Sequence, residues 1–256
     1  MPYGICILNS IALRAEAQDS SEMVSQVLFG EAFEILEQKS NWLKIILAFD
    51  GYEGWIDAKQ QVNISKEIFE KINNESQVLA ADLVNFLDFS DVEMMTLSLG
   101  AHLPFYKDSK FNLSSVDYHY EGAVINTSTK KESLVDYAYM YLNAPYLWGG
   151  RTPFGIDCSG FTQMVYKLYG YPLSRDASQQ AKQGEVLSFI EESEPGDLAF
   201  FDNEDGDIIH VGIILANHHI IHAHGKVRID RLDQSGIYNV DTNRHTHKLR
   251  VIKKII

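Results

Sequence analysis

The sequence is poor in cysteine, in basic residues and in long apolar runs. Its 256 residues contain two cysteines, Cys6 and Cys158, which are too few and too far apart for a disulfide framework. Lys and Arg number 22 against 35 Asp and Glu, and the formal charge of −13 argues against nucleic acid as a partner because phosphate binding needs concentrated cations. No segment approaches the ~18 consecutive apolar residues of a membrane span. We therefore expect a folded protein without a membrane span or bound nucleic acid.

The first ten residues also lack the features of a signal peptide. The segment M-P-Y-G-I-C-I-L-N-S has neither a basic start nor a long apolar region. Together with the low cysteine count, this predicts a cytoplasmic protein. An exported protein whose leader was trimmed is the alternative, and the sequence leaves it open.

Residues 146–160, Y-L-W-G-G-R-T-P-F-G-I-D-C-S-G, combine a tight loop with the start of a helix. Three glycines and Pro153 favour the loop. Apolar residues recur at helical spacing from Phe161 to Tyr169, which predicts a helix with Cys158 at its N-terminus. The helix dipole and a neighbouring imidazolium can lower a thiol pKa from about 8.5 to roughly 3.5–7.5. We therefore predict an activated thiolate, with a small buried thiol that only caps the helix as the alternative.

Two histidines can serve a cysteine nucleophile, which needs a base and a third group that orients the base. His210 lies in I-I-H-V-G and His222 in I-I-H-A-H, in apolar runs joined by a turn at 217–219. We expect the two runs to pair as strands and predict contact between the imidazoles. A plain hairpin would leave the histidines out of line, so the contact would require a bulge or a strong twist.

Other interpretations of these histidines are a buried structural residue and a metal ligand. The histidines that cluster in the sequence are His210, His218, His219, His222 and His224. The sequence has neither a helical i, i+4 pair nor a Cys-x-x-Cys partner for them, which argues against a metal site. We expect neither a metal nor a cofactor.

The N-terminal half predicts two all-β domains. Residues 1–62 contain short strand-like runs separated by turn residues, which is typical of a small barrel. Residues 63–127 are expected to hold a linker helix, placed at Val78 to Phe89, and a second, degenerate barrel. The segment Y-E-G-A-V at 120–124 repeats Y-E-G-W-I at 52–56, which indicates an internal repeat.

The third predicted domain, residues 128–256, has helices first and strands later, which is an α+β order. Its first helix is expected to be capped by Ser128 or Thr129, with Glu132 completing a capping box. The predicted strands lie at 197–202, 208–216, 220–225 and 249–256.

Five sequence blocks resemble those of the NlpC-type cell-wall cysteine peptidases. They are Y-L-W-G-G-R-T-P-F-G-I-D-C-S-G-F at 146–161, S-R-D-A-S-Q-Q at 174–180, P-G-D-L-A-F-F at 195–201, H-V-G-I at 210–213 and I-I-H-A at 220–223. Their order and spacing agree with the family over residues 130–256. The first 125 residues resemble a tandem of bacterial SH3-type barrels, best at D-G-Y-E-G-W-I.

The resemblance implies a papain-like catalytic domain in which Cys158 is the nucleophile, His210 the base and His222 the orienting residue. It also implies that the Cys158 N–H contributes to an oxyanion hole. Relatives with SH3-type domains in front resemble hydrolases that cut murein peptides after γ-D-glutamate and before a diamino acid, on peptides with a free N-terminal L-alanine. The implied partner is a murein-derived peptide, and the implied role is the recycling of released wall peptides.

The same resemblance implies a pocket that recognises the free ammonium group of that alanine. Asp176 stands where the family places the negative group, although it can equally cap a helix with Gln179 three residues later. The pocket is expected to be lined by Tyr146, Trp148, Asp157 and Ser159. An uncompensated buried charge is costly, so such a pocket would reject blocked peptides.

The first barrel is expected to supply a wall of the pocket through Glu53 or Tyr52, with a solvated hairpin residue as the alternative for Glu53. Two positions depart from the family. Ala177 stands where relatives can carry serine, which removes one hydrogen bond to the substrate, and Ala123 stands in the second barrel where the first has Trp55. Two alternative functions stay open, namely an exported endopeptidase acting on intact peptidoglycan and an inert wall-peptide binding module.

Overall fold

The structure, a computed structural model, describes residues 2–89, 93–127 and 134–256. The chain forms two compact units, residues 1–131 and 132–256. The finer division into three domains stays a prediction, and the predicted helix cap at Ser128 or Thr129 lies outside the described residues. Within those residues, every helix is too short or too polar to cross a membrane.

The first unit consists almost entirely of short strands. They are β1 (Tyr3–Cys6), β2 (Ser10–Arg14), β3 (Met23–Leu28), β4 (Ala32–Lys39), β5 (Trp42–Leu47), β6 (Glu53–Asp57), β7 (Gln61–Ile64), β8 (Val78–Ala80), β9 (Val84–Asp88), β10 (Met94–Ser98), β11 (Lys110–Leu113), β12 (Val116–His119) and β13 (Val124–Asn126), with helix α1 (Lys66–Asn74) after β7. The first seven strands form one sheet in the order β3-β2-β6-β5-β4-β1-β7. The later strands form a four-stranded sheet, β10-β9-β12-β11, and the pair β13-β8.

The helix predicted at Val78 to Phe89 is wrong, because this segment forms β8 and β9. Residues 84–88 pair along their whole length with β10 in antiparallel register. The helix lies earlier, at Lys66–Asn74, where the Ser65 hydroxyl accepts a hydrogen bond from the Ile68 N–H at 3.3 Å. The apolar residues of this segment are spaced four apart, as on one face of a helix, although they lie in two strands and the turn between them. The spacing alone therefore predicted the wrong element.

The second unit places its helices before most of its strands, as the sequence predicts. Its elements are α2 (Leu134–Met140), β14 (Arg151–Thr152), β15 (Gly155–Ile156), α3 (Cys158–Tyr169), α4 (Ala177–Gln180), β16 (Glu185–Leu187), β17 (Leu198–Asp202), β18 (Ile208–Leu215), β19 (His219–His224), β20 (Lys226–Asp233), β21 (Gly236–Asn239) and β22 (Arg244–Lys254). The helix after the Gly-rich loop and the four predicted strand regions are confirmed, whereas β14, β15, β16, β20 and β21 were not predicted.

A closed barrel supports the second unit. The strand order is β16-β22-β17-β18-β19-β20-β21, and β21 also pairs with β22, so six strands close on themselves and β16 adds to the outside. Helix α3 packs against β18 and β19 and also contacts α2 and α4. Residues 158–168 of α3 are consequently all buried, which fixes Cys158 against the barrel.

Candidate active site

Cys158 is the first residue of α3, and the loop before it is held close to the helix. Asp157 caps the helix by accepting a hydrogen bond from the Gly160 N–H at 2.6 Å. A Cβ at Gly160 would lie 2.3 Å from the Gly150 carbonyl oxygen. Only glycine at position 160 lets the Gly150 carbonyl come this close to the helix. The glycines on both sides of Cys158 are therefore needed for the loop to pack against the start of α3.

A buried ion pair fixes the start of this helix. Arg175 donates from Nη2 to Asp157 Oδ2 at 2.6 Å and from Nη1 to Asp157 Oδ1 at 3.0 Å. The Gly149 N–H donates to Oδ2 at 2.8 Å, and Arg175 Nη1 also donates to the Ser159 hydroxyl at 3.0 Å. We call this group the Asp157–Arg175 latch. It joins the Gly-rich loop, the helix and the segment 174–180, and each charge is neutralised by the other out of water.

Asp176 follows the latch and precedes α4. Its N–H donates to Gln179 Oε1 at 3.2 Å, so Asp176 takes the helix-capping position that was its alternative interpretation. The buried Gln180 fastens α4 to α3 by donating to the Ser159 carbonyl at 3.0 Å and accepting from the Thr162 hydroxyl at 2.7 Å. The half-buried Asp176 is thus held on a fixed support beside the latch, and its contact with a substrate ammonium stays a prediction.

His210 and His222 are in contact, with 2.8 Å between His210 Nε2 and His222 Nδ1. The pairing of β18 with β19 places Ile213 opposite Ile221, and continuing this register places His222 opposite Gly212. The His222 ring therefore reaches His210 diagonally across Gly212, where a Cβ would lie 2.9 Å from the His222 Cβ. The sequence predicts a bulge or a strong twist for this contact, and the structure shows a glycine that leaves room for it.

The buried sulfur of Cys158 lies beside this pair. The Val211 N–H, one residue after His210, donates a hydrogen bond to the sulfur. Because His210 uses Nε2 to contact His222, its Nδ1 is the nitrogen left to serve the thiol. The three residues that the sequence assigned to one site are therefore brought together on α3, β18 and β19.

Further residues extend the site beyond the sequence prediction. Asp230 accepts from His222, with 3.1 Å between His222 Nε2 and Asp230 Oδ2, and Arg228 pairs with the same carboxylate at 2.7 Å. His247 stacks on His210, with ring centroids 4.2 Å apart and an interplanar angle of 23°. The alternation of polar and apolar residues in K-V-R-I-D-R-L-D could have predicted β20 and placed Arg228 and Asp230 on one face. No sequence pattern indicates His247, because closure of the barrel by β22 brings it there.

Burial acts against the charge state that the sequence predicts for this site. Burial raises the pKa of the Cys158 thiol to about 12, the Asp157 carboxylate adds to this effect, and hydrogen bonding from the Val211 N–H opposes it. Burial also lowers the pKa of His210 well below its usual value of 6.5, with a further contribution from neighbouring imidazoles. The resting thiolate stays a prediction, but burial opposes it and favours a neutral thiol beside a neutral imidazole.

This charge state predicts how Cys158 reacts with iodoacetamide. Only the thiolate is alkylated, so the rate for Cys158 at pH 6 is expected to be below that of free cysteine and to rise steadily through pH 9. The measurement is mass spectrometry of the Cys158 peptide after timed labelling across this pH range, and Cys6, whose pKa burial also raises to about 12, serves as the internal buried thiol. A fast rate that stays level from pH 5 upwards would instead indicate a thiolate–imidazolium pair.

The residues predicted to line a pocket occupy different settings. Tyr146 is half-buried, and burial together with the nearby Cys158 and Asp157 raises its pKa to about 12. Trp148 is 60% exposed on the Gly-rich loop, whereas the Ser159 hydroxyl is buried in the Asp157–Arg175 latch. Their contacts with a substrate stay predictions.

Glu53 belongs to the first unit, on β6. Its carboxylate lies 2.8 Å from the Lys44 ammonium group, and both side chains are partly exposed. The neighbouring Tyr52 packs against the core of the first sheet, and its N–H donates to Asp50 at 3.0 Å. The predicted contribution of Glu53 or Tyr52 to the substrate pocket stays a prediction.

The histidines around His210 are not arranged as a metal site. In the part of the chain that the structure describes, no three His, Cys, Asp or Glu side chains converge in a way that could hold a metal ion. His210 and His222 bond to each other through ring nitrogens, which are the atoms that a metal would need.

Comparisons with known proteins identify relatives of both parts of the chain. Residues 143–246 match the NlpC/P60 family, and residues 13–60 match the bacterial dipeptidyl-peptidase Sh3 domain. The chain is 31% identical to a protein of Bacillus subtilis named gamma-D-glutamyl-L-lysine dipeptidyl-peptidase, over 78% of this chain and 71% of that protein. A protein of the same name from Bacillus cereus is 26% identical over 80% of this chain and 68% of its own length.

A solved structure shares the fold over nearly the whole chain. The crystal structure of an NlpC/P60 family protein from Bacillus cereus superimposes with a TM-score of 0.82 at 21% identity and covers 99% of both chains. The 31% identity to the Bacillus subtilis protein and the two domain matches show that the chain belongs to the NlpC/P60 family of cysteine peptidases and carries a bacterial SH3-type domain in front.

Proposed function

We propose that the second unit is a papain-like cysteine peptidase in which Cys158 is the nucleophile and His210 the general base. The observation that carries this proposal is a buried thiol, at a helix N-terminus, that accepts a hydrogen bond from the Val211 N–H, next in sequence to His210, whose Nε2 is 2.8 Å from His222. His210 Nδ1 takes the thiol proton as the sulfur attacks the scissile carbonyl carbon. The Cys158 N–H donates to the oxyanion that forms.

The reaction then proceeds by acyl transfer. The scissile C–N bond breaks, His210 returns its proton to the leaving amine, and a thioester remains on Cys158. A water molecule loses a proton to His210 and hydrolyses the thioester, which restores the thiol. Transfer of the proton during the attack suits a neutral pair, because no separated charges have to be buried before the substrate is bound.

The proposed substrate is a murein-derived peptide, cut between γ-D-glutamate and a diamino acid. The names of the two Bacillus relatives, which align over 78% and 80% of this chain, support this substrate class. Asp176 is proposed to bind the free ammonium of an N-terminal L-alanine. Selection of a free N-terminus suits the recycling of released wall peptides in the cytoplasm.

The diagonal contact between His210 and His222 should be sensitive to a methyl group added at Gly212. Gly212→Ala would place a Cβ 2.9 Å from the His222 Cβ and 2.8 Å from Ile220 Cδ1, so the His222 ring must move. Displacement of a catalytic group by about 1 Å can cost 10²-fold, and we expect kcat to fall by about that factor with KM little changed. Steady-state kinetics on the tripeptide below measures both constants, and circular dichroism checks the fold. A folded variant with the wild-type kcat would show that the contact is unimportant.

The proposed function is tested with L-Ala-γ-D-Glu-diaminopimelate and its lysine analogue, each with a free and with an acetylated N-terminus. Products are identified by mass spectrometry, with Cys158→Ala as the control. We expect cleavage of the free peptides at the γ-D-glutamyl bond, no cleavage of the acetylated ones, and no product from the variant.

Each other outcome identifies an alternative. Cleavage of free and acetylated peptides alike would remove the role of Asp176 and favour an endopeptidase acting on intact peptidoglycan, which digestion of whole sacculi would then check. If no peptide is cleaved, the protein is better described as a wall-peptide binding module.

A further inference from the structure

The carboxylate of Asp230 accepts a full set of hydrogen bonds at the far end of the histidine pair. Oδ2 accepts from Arg228 Nε at 2.7 Å and lies 3.1 Å from His222 Nε2. Oδ1 accepts from Arg228 Nη2 at 2.9 Å and from the Val240 N–H at 3.1 Å. A carboxylate offers about four acceptor positions, so none is left for a proton.

Asp230 is consequently an ionised acceptor. Its side chain and that of His222 are both completely buried, with 0% exposure. Burial alone would raise the pKa of Asp230, but the hydrogen bonds from His222, Arg228 and the Val240 N–H outweigh it and hold the pKa well below its usual range. A group that only accepts hydrogen bonds forces its partner to donate.

The acceptor role of Asp230 determines which nitrogen carries the proton on both imidazoles. His222 must carry its proton on Nε2 to donate to Asp230, and since burial lowers the pKa of His222 the ring is neutral, which leaves Nδ1 as an acceptor. His210 must then carry its proton on Nε2 to donate to His222 Nδ1. The remaining nitrogen of His210, Nδ1, is left unprotonated and can accept the thiol proton.

We propose that Asp230 is a positioning residue that sets the tautomers of His222 and His210, so that His210 presents an unprotonated Nδ1 to Cys158. The chain of contacts runs diagonally across three adjacent strands, from β18 through β19 to β20. Arg228 holds the carboxylate in place through two hydrogen bonds and is itself paired with Asp241 at 2.8 Å. The inference rests on the proposed peptidase function for its catalytic consequence, whereas the tautomers can be determined without any substrate.

The Asp230→Asn variant tests this inference because its amide can donate where the carboxylate only accepted. At the Oδ1 position an amide nitrogen would face two donors that cannot reverse, Arg228 Nη2 and the Val240 N–H. At the Oδ2 position it would face only one such donor, Arg228 Nε, together with His222, which can become an acceptor at Nε2. The amide is therefore expected to turn its nitrogen towards His222 and to reverse both tautomers, which places a proton on His210 Nδ1.

The experiment records histidine ring protonation in the full chain, labelled with ¹⁵N-histidine, by long-range ¹H–¹⁵N correlation. His210→Gln and His222→Gln variants assign the signals. We expect Nε2–H on both histidines in the wild type and Nδ1–H on both in Asp230→Asn. A wild-type His210 that carries its proton on Nδ1 would overturn the inference. This part of the test uses the wild type alone, so it does not depend on whether a variant folds.

Kinetics on the proposed tripeptide completes the test. Loss of the correct tautomer in a Ser-His-Asp enzyme costs about 10⁴ in kcat, and we expect Asp230→Asn to lose roughly 10²–10⁴ in kcat with KM little changed. Asp233→Asn is the matched control, because Asp233 pairs with His245 at 2.9 Å in a partly exposed setting away from Cys158. It is expected to keep the wild-type kcat and His210 tautomer.

The two proposals fail in different ways. An Asp230→Asn variant with the wild-type kcat, or with unchanged tautomers, would overturn the role of Asp230 while the peptidase function stands. If the wild type cleaves no peptide but shows the expected tautomers, the substrate proposal fails and the inference about Asp230 stands.

Discussion

Cys158→Ala is expected to abolish peptide hydrolysis, with a fall in kcat of roughly 10⁶-fold, the size of effect produced by removing the nucleophile of a serine peptidase. Without the sulfur no thioester can form, and His210 alone cannot provide an acyl acceptor. The measurement is product formation from the free tripeptide over hours, so that a small residual rate is detected.

Cys6→Ala is the matched control for this loss. Cys6 is the other buried cysteine of the chain, in the core of the first unit, and its removal is expected to leave hydrolysis intact. Hydrolysis that persists in Cys158→Ala and disappears in Cys6→Ala would contradict the assignment of the nucleophile.

Asp157→Ala is expected to destabilise the second unit by about 3–5 kcal/mol, the cost of removing one partner from a buried ion pair. The side chains of Arg175 and Asp157 are only 1% and 8% exposed, so water cannot replace the lost carboxylate cheaply. The same substitution removes the cap of α3 and the acceptor of the Gly149 N–H. The free energy of unfolding is measured by urea denaturation.

Glu194→Gln provides the comparison for an exposed ion pair in the same unit. Glu194 lies 3.5 Å from Lys254, and both side chains are well exposed. The urea midpoint of unfolding of the Glu194→Gln protein should therefore match that of the wild type. In Asp157→Ala/Arg175→Met the unpaired charge is removed, and we expect part of the lost stability to return. An Asp157→Ala protein as stable as the Glu194→Gln protein would show that the latch does not hold the unit together.

The elements that were predictable from the sequence are those whose signals are local. The Gly-rich loop followed by an apolar stripe indicated the position of α3, and mainly apolar runs indicated β17, β18 and β19. The segment Val78 to Phe89 misled because its apolar spacing fits a helix, and pairing with β10 decided otherwise. Strand pairing depends on residues outside the segment, so the pattern within the segment cannot reveal it.

The main residues of the candidate site were predictable from the sequence, but the contacts between them were not. Cys158, His210 and His222 follow from the motifs, but the diagonal contact depends on the register of β18 with β19 and on the absence of a side chain at Gly212. Asp230 contributes through a strand that was not predicted. The pKa of the thiol depends on its burial in the folded unit, which no local motif expresses.

The measurement that tests the central claim most directly is a search for the acyl-enzyme. The protein is mixed with an activated ester of L-Ala-γ-D-Glu, quenched in acid within milliseconds to seconds, and analysed by mass spectrometry of the intact chain and of its peptides. We predict one added acyl group, located on the peptide that contains Cys158 and absent from Cys158→Ala. A chain that turns the ester over without ever carrying the acyl group on Cys158 would contradict acyl transfer through this residue.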